Sequence, residues 1–550
     1  MAIHLPSNPD SSGHSEPATE AVEKRLQQTG NPGSRAFVPL VCAAVVIFPW
    51  INPFAPGPSP AVVPLLLSVL CAATLLGLAA CWPAFFTTER LVWPVASAWL
   101  FAGLVSSVLG LIQYFGVADG LLPWVNQSRY GEAFANLRQR NQFASLTNIA
   151  MIALIWFGVM FSRSKHVLDA RRTRNYQTLM LMAAALLACG NATSVSRTGM
   201  IQLGLLCSLC VLWGQWRHTS VRWILLVAVV VYVVSVLALP RLAGFDLSQY
   251  SMSGRLRAGD PVCASRLTLW SNVLHLVAMK PWMGWGWGEL DFAHYTELYQ
   301  GPRFCDILDN AHNFPLHLAV EGGVPFALLV CGAFVFWVWR SKPWLDTDPA
   351  RQMAWSVFAI LLLHSMLEYP LWYGPFQMAV VLCLLFLRRP MAAPQAGEAG
   401  QPGLSVTGVK VRAGCAALSL LLLLGTAYAL WDYRRVSQIY LAADKRDAAY
   451  RTDTLEKISD SWLFSDQVMF ARLLITPLTP ANAAWTFSTA QALLHYSPEP
   501  RVAEKLIESA VMLGRDQEAQ AQMLRYRVAF PKEYALWKPL KANQEKQQAP

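Results

Sequence analysis

The chain has 550 residues, of which 54% are hydrophobic and only 14% charged, with 22 Trp and a formal charge of +10. Soluble domains usually carry about 25% charged residues, so the composition argues against a soluble globular protein and for the membrane class. Most Lys and Arg lie in short loops between apolar stretches. That distribution orients helices in a bilayer, and it argues against nucleic acid as the reason for the positive charge.

The first 36 residues are polar and rich in Ser, Pro, Gly and Asn, with no apolar core ahead of a small-residue cleavage site. They read as a disordered cytoplasmic tail and not as a signal peptide. A hydrocarbon core about 30 Å thick takes roughly 20 apolar residues per helix. The candidate spans are 37–54, 61–82, 91–115, 142–161, 177–190, 200–215, 223–240, 314–339, 353–367, 372–387 and 413–430. The shortest, 177–190, is expected to run on into the loop after it. The fold class that follows is an all-α polytopic membrane protein of about eleven transmembrane helices.

With the N-terminus inside, the inner loops and tail hold eighteen Lys or Arg, most clearly Arg163, Lys165, Arg171, Arg172 and Arg174. The short outer loops hold four, Arg129, Arg138, Arg140 and Arg197, and this asymmetry fixes the orientation. Residues 37–430 then form the transmembrane unit, with a large outer loop at 241–313 and an inner Pro/Gly linker at 394–403. Residues 431–550 form an outer, helix-patterned region. Within it, 497–531 reads as a helix pair: Pro498 and Pro500 open the first helix, Gly514 breaks it, and Pro531 ends the second. The length and Ala/Leu spacing are those of a tetratricopeptide-type repeat, and helical repeats present concave surfaces to polypeptides.

Most of the eleven cysteines lie in apolar runs, where Cys behaves as a small hydrophobe. Cys207 and Cys210 have CxxC spacing but sit inside a predicted span, so no zinc or redox centre is expected. Cys263 and Cys305 lie well inside the large outer loop, where a disulfide and two free thiols both fit.

Polar groups near membrane depth are costly unless paired or open to water, and four clusters of them fall at the outer face. The first is NLRQRNQFA, Asn136 to Ala144, in which Arg138 and Arg140 can neutralise phosphate and Gln139 and Asn141 can hydrogen-bond a sugar or diphosphate. The second is SVSRTG, Ser194 to Gly199, with Arg197 between hydroxyls at a helix start. For both, an interfacial arginine snorkelling to headgroups is the alternative. The third spans Ser265 to Tyr295 and Asp309 to Gly323. There Arg266 and Trp270 share a helix face, PWMGWGWG makes a Gly/Trp turn able to approach a polyprenyl chain or a sugar face, and His312 with Asn313 precedes a span. His312 also fits a plain capping role, and His275 and His317 lie on otherwise apolar helix patterns. The fourth is HSMLEYPLWY, where His364, Glu368 and Tyr369 fall on nearby faces before Pro370 breaks the helix. Arginines for a diphosphate, a base for a hydroxyl and apolar walls for a polyprenyl tail are what a lipid-linked donor needs.

RQRNQFA, RLTLW…KPWMGWGWG, DNAHNFPLHLAVEGG and HSMLEYPLWY, in that order, resemble the bacterial O-linking oligosaccharyltransferases. These are the protein glycosylation ligases within the O-antigen ligase and polymerase superfamily. The resemblance covers roughly residues 36–530. It implies en bloc transfer of a glycan from undecaprenyl diphosphate to a Ser or Thr of a periplasmic protein, often a pilin, by a multi-pass enzyme of the bacterial inner membrane whose site faces the periplasm. By motif, Gln139, His312 and Tyr369 would be catalytic. Arg138, Arg197 and Arg266 would meet the diphosphate, with Arg140 and Asn141 as further donor contacts and Asn313, His364 and Glu368 in support. Many relatives have Pro where this chain has Arg140, which leaves the shape of that loop open. The implied chemistry takes no cofactor, no metal and no nucleic acid partner: His312 accepts the acceptor's proton and arginines stabilise the leaving diphosphate. The alternatives are O-antigen ligation onto lipopolysaccharide core, polymerisation of repeats, or, in a different class, transport of the lipid-linked glycan. The outer helical region favours a protein acceptor.

Overall fold

The computed structural model describes residues 32–164, 169–244, 262–388 and 406–538. The expected disordered tail up to residue 31, the linker 394–403 and residues 245–261 of the large loop lie outside the described residues. All regular structure among the described residues is helical. In chain order the helices of the apolar part are α1 (Pro32–Ile51), α2 (Val62–Cys81), α3 (Thr88–Tyr114), α4 (Arg140–Ser164), α5 (Ala170–Thr193), α6 (Arg197–Leu212), α7 (Thr219–Leu242), α8 (Arg266–Met279), α9 (Leu290–Thr296), α10 (Phe314–Gly322), α11 (Val324–Ser341), α12 (Pro349–Ser365), α13 (Gly374–Leu387) and α14 (Val406–Ser437).

Every predicted span falls on a helix. By length and composition α2, α3, α4, α7, α11 and α14 can cross a membrane, and α1, α6 and α13 are apolar but shorter. The chain is a multi-pass membrane protein.

Two spans differ from expectation. The stretch 314–339 is not one helix: it breaks at Gly323, which takes φ 88°, and restarts with Pro325 in the first turn of α11. A proline there needs no N–H partner. The weak stretch 177–190 grows at its front as well as behind. Asp169 caps the helix by accepting from the Arg172 N–H at 2.7 Å, and the helix-favouring Ala170–Arg174 run becomes its first turns instead of a loop.

The bundle is built around α4, which packs against α3, α5, α6, α7 and α12. Its apolar stretch is 89% buried, against 6% for α11, so α4 is the axis of the bundle and α11 lies at its margin. A buried cluster with Trp50, Trp99, Phe143, Leu146 and Phe376 fills the middle.

Beside the bundle, α8, α9 and α10 enclose a second core of Leu269, Val273, Leu276, Leu290 and Val320. Cys263 and Cys305 are disulfide-bonded, with Cα atoms 5.2 Å apart. The C-terminal helices follow: α15 (Thr454–Ile458), α16 (Ser465–Ile475), α17 (Ala483–Leu493), α18 (Pro500–Met512) and α19 (Asp516–Ala529). The predicted helix pair is α18 and α19, turned by Gly514 at φ 70°. Pro531 does not end the helical region: after a one-residue break at Phe530 it opens a further helical stretch, 531–538. This region docks on the loop through Tyr295 of α9, buried with Phe470, Phe487, Leu506 and Tyr526. His495 Nδ1 lies 2.7 Å from the Glu289 carboxylate and its ring stacks on Phe292.

Candidate functional site

The loop between α3 and α4 folds back on itself because Gln113 saturates it. Its amide donates to the Asn126 and Ala135 carbonyls and its oxygen accepts from Phe134 and Ala135 N–H, all within 3.0 Å. That fold delivers RQRN to the start of α4. Arg138 takes φ 62° and gives Nη2 to the Pro53 carbonyl at 2.6 Å, so its fork is partly spent on holding the end of α1. Gln139 Oε1 accepts from the Gln142 N–H at 3.0 Å, capping the first turn. Arg140 pairs with Glu132 at 3.3 Å.

α12 ends at Ser365, and Pro370 restricts the residue before it, so Glu368 and Tyr369 sit in a turn. Glu368 is the centre of the site. Its Oε1 accepts from Asn141 Nδ2 at 3.0 Å and from Arg266 Nη2 at the start of α8. Its Oε2 lies 2.8 Å from His312 Nδ1. His312 holds φ 50° and donates its backbone N–H to Asn310 Oδ1. Asn313 caps α10 and also donates to the Met366 carbonyl at 3.2 Å, locking the two turns together. The Tyr369 ring meets His312 edge-on with centroids 5.0 Å apart and stacks on Tyr373.

Burial alone would raise the Glu368 carboxyl, but the hydrogen bond from His312 and the charge of Arg266 outweigh it and hold the pKa below the usual value. Burial raises the Tyr369 phenol, which stays a neutral donor. Arg266 keeps one buried nitrogen, Nη1, without a partner among the described residues.

Beside Glu368 opens a polar cavity of about 560 Å³, lined by Gln127, Arg129, Glu132, Arg138, Gln139, Arg140 and Asn141 among others. Gln127 and Glu132 were not anticipated: they lie in an irregular loop with no periodicity to mark them. The four sequence clusters do converge here, but not every residue in them does. SVSRTG joins through Ser196, whose hydroxyl donates to Asn141 Oδ1 at 2.6 Å, while Arg197 is exposed at the first turn of α6 and does not line the cavity. His364 lies a turn deeper, fully buried, with its ring 2.9 Å from the Ser145 hydroxyl, and it meets Glu368 only through its backbone carbonyl, which accepts the Glu368 N–H at 2.8 Å. His317 and His275 pair with Glu321 and Glu297, away from Glu368. No group of three metal-ligating side chains occurs among the described residues.

Chemically this is a carboxylate–histidine pair. Donating Nδ1–H to Glu368 fixes the tautomer and leaves the Nε2 lone pair available as a base. Cations and amides surround it where an anionic ligand can be held.

Three stretches match family models. Residues 133–157 match one described as protein glycosylation ligase, 179–331 one described as O-antigen ligase, and 352–545 one described as virulence factor membrane-bound polymerase, C-terminal. The chain is 24% identical over 303 residues to a general O-oligosaccharyltransferase of Acinetobacter baylyi and 25% identical over 287 residues to a ComP-specific O-oligosaccharyltransferase of the same organism. In each case the alignment covers 52% of this chain and 49% of the relative, so the chain spans about half the length of the curated relatives it matches.

Proposed function

We propose that this chain, stretches of which match O-antigen ligase and protein glycosylation ligase models, is an O-oligosaccharyltransferase. It moves a preassembled glycan from undecaprenyl diphosphate to a Ser or Thr hydroxyl of a periplasmic protein such as a pilin. The observation that carries the reading is Glu368, which gathers His312, Arg266 and Asn141 from three separate stretches of chain beside an arginine-lined cavity. In this reading all eleven apolar helices cross the inner membrane with the N-terminus inside. Residues 37–430 are then the catalytic unit, and the loop 241–313 and residues 431–550 are periplasmic.

The acceptor hydroxyl gives its proton to His312 Nε2 as its oxygen attacks the glycan's C1. The C1–O bond to phosphate breaks, and the configuration inverts. Glu368 stabilises the imidazolium that forms, and Arg266 with Arg138 and Arg140 meets the charge on the departing diphosphate. Gln139 and Tyr369 orient the sugar and hydroxyl by hydrogen bonds. General-base assistance of this kind contributes about 10²–10⁴-fold.

Purified full-length chain incubated with lipid-linked glycan and a pilin should place glycan on a Ser or Thr. The O-antigen ligase match at 179–331 supports a second reading, transfer onto lipopolysaccharide core. Glycan on core with the pilin unmodified across several donors would select it.

A further inference from the structure

The Gly/Trp turn between α8 and α9 is pinned rigidly to the break between the end of α10 and the start of α11. Trp285 N–H donates to the Val320 carbonyl at 2.8 Å, Gly286 N–H to Glu321 at 3.0 Å, and Val324 N–H returns to the Pro281 carbonyl at 2.8 Å. The backbones meet so closely that a Cβ on Gly284 would lie 2.3 Å from the Glu321 carbonyl oxygen, and one on Gly323 2.2 Å from that of Trp282. Both glycines also hold positive φ. Trp285 points inward, donating its indole N–H to Leu276 under the Lys280 ammonium. Its neighbours do the opposite: Trp282, Met283 and Trp287 are 76%, 83% and 82% exposed. On α8 the residues Leu267 and Leu274, seven apart and so on one face, are exposed as well.

An aqueous loop has no reason to build a stiff platform for three large apolar side chains. We infer that this turn and the exposed face of α8 lie in the outer-leaflet interface of the membrane the chain spans, as an anchor that sets the height of the site. The inference rests on the proposed topology. The height follows from the pinning: Trp282 is held against Gly323, and α11 starts at Val324, with Leu328 and Leu329 exposed to lipid in its second turn. That level is the water–hydrocarbon boundary, where Trp is enriched because its ring is apolar and its N–H is not. Met283 and the leucines of α8 give a sugar no hydrogen bond but suit acyl chains, so lipid is the occupant. Arg266 opens α8, so the anchor holds that guanidinium at a fixed depth relative to the phosphates of a lipid-linked donor.

The test compares the full chain with Trp282→Phe/Trp287→Phe in nanodiscs of phosphatidylcholine, plain or brominated high on the acyl chains. The emission lost in the double variant should be the part quenched by brominated lipid and shielded from iodide. Emission that iodide quenches and bromine does not would overturn the anchor, as would shielding that appears only with added glycan donor or only at high protein density. In bilayers Trp282→Ser/Trp287→Ser should raise KM for the lipid-linked donor severalfold with kcat unchanged, and the difference should disappear in detergent. The quenching arm needs no turnover, so it stands or fails apart from the proposed reaction.

Discussion

Beside the cavity at the start of α4, His312 bonds a carboxylate that also holds Arg266 and Asn141, and the His312 side chain keeps 21% of its surface exposed. One turn further in, the fully buried His364 ring lies against Phe376 and within hydrogen-bond distance of a hydroxyl, with Gln202 donating to the same Ser145 oxygen and Asn148 to Gln202. The upper layer is charged and opens to a cavity; the lower one is neutral and closed. A buried ion costs several kcal/mol unless it is paired and partly solvated, whereas a neutral network needs only its partners. The contrast suits the upper layer to the proposed proton transfer and the lower to bundle alignment, although both histidines belong to motifs at the same face.

Substitutions can break that division. His312→Ala should lower transfer by roughly 10²–10⁴-fold while the protein still reaches the membrane and elutes as a single species; turnover within threefold of wild type would move the base elsewhere. Glu368→Gln should cost at least tenfold, and combined with His312→Ala it should add almost nothing, because groups that act as a unit are not additive. A fully additive double variant would separate the two. Arg266→Ala should raise the donor KM, and Arg266→Lys should recover only part of it, since a point charge replaces a planar fork. His364→Ala should leave kcat within about threefold but lower the thermal midpoint, through buried donors left unmatched at about 1–3 kcal/mol. If instead it abolished turnover in a fully folded protein, the lower layer would belong to the chemistry.

The smallest effect lies at the junction of loop and C-terminal region. Burial, with Asp309 and Glu289 nearby, pushes Asp291 up to about 7. The folded state then keeps a proton that the unfolded chain releases near its ordinary value of 3.8, so this group's contribution falls as pH rises from about 4 through about 7. Asp291→Asn should therefore melt higher than wild type at pH 8 and match it near pH 3. A gain of equal size at both would show that titration is not the cause.

The helices were legible because a long apolar stretch must satisfy its backbone hydrogen bonds internally, and all eleven stretches fall on helices. What periodicity could not show was the break at Gly323, since hydrophobicity runs straight through it and only the φ and the adjoining Pro325 decide. In the site, residue chemistry marked His312, Arg266, Asn141 and Glu368, but not the hierarchy among them. Glu368 looked like a supporting residue because its three partners lie in stretches far apart in sequence. Arg197 looked equivalent to Arg266, but Arg197 is exposed at the start of α6 and does not line the cavity, whereas Arg266 is half-buried on Glu368.

For the proposed transfer to a protein, the docking of the C-terminal helices on Tyr295 and Phe292 has a kinetic consequence. The same loop carries His312, so a polypeptide captured by those helices would be tethered to the base rather than arriving from bulk. Tethering of this kind sets a local concentration on the order of millimolar. Binding at the tail can then be weak and fast to release, and selection among acceptors falls to which hydroxyl the tether lets reach Nε2 and not to how tightly the protein is held.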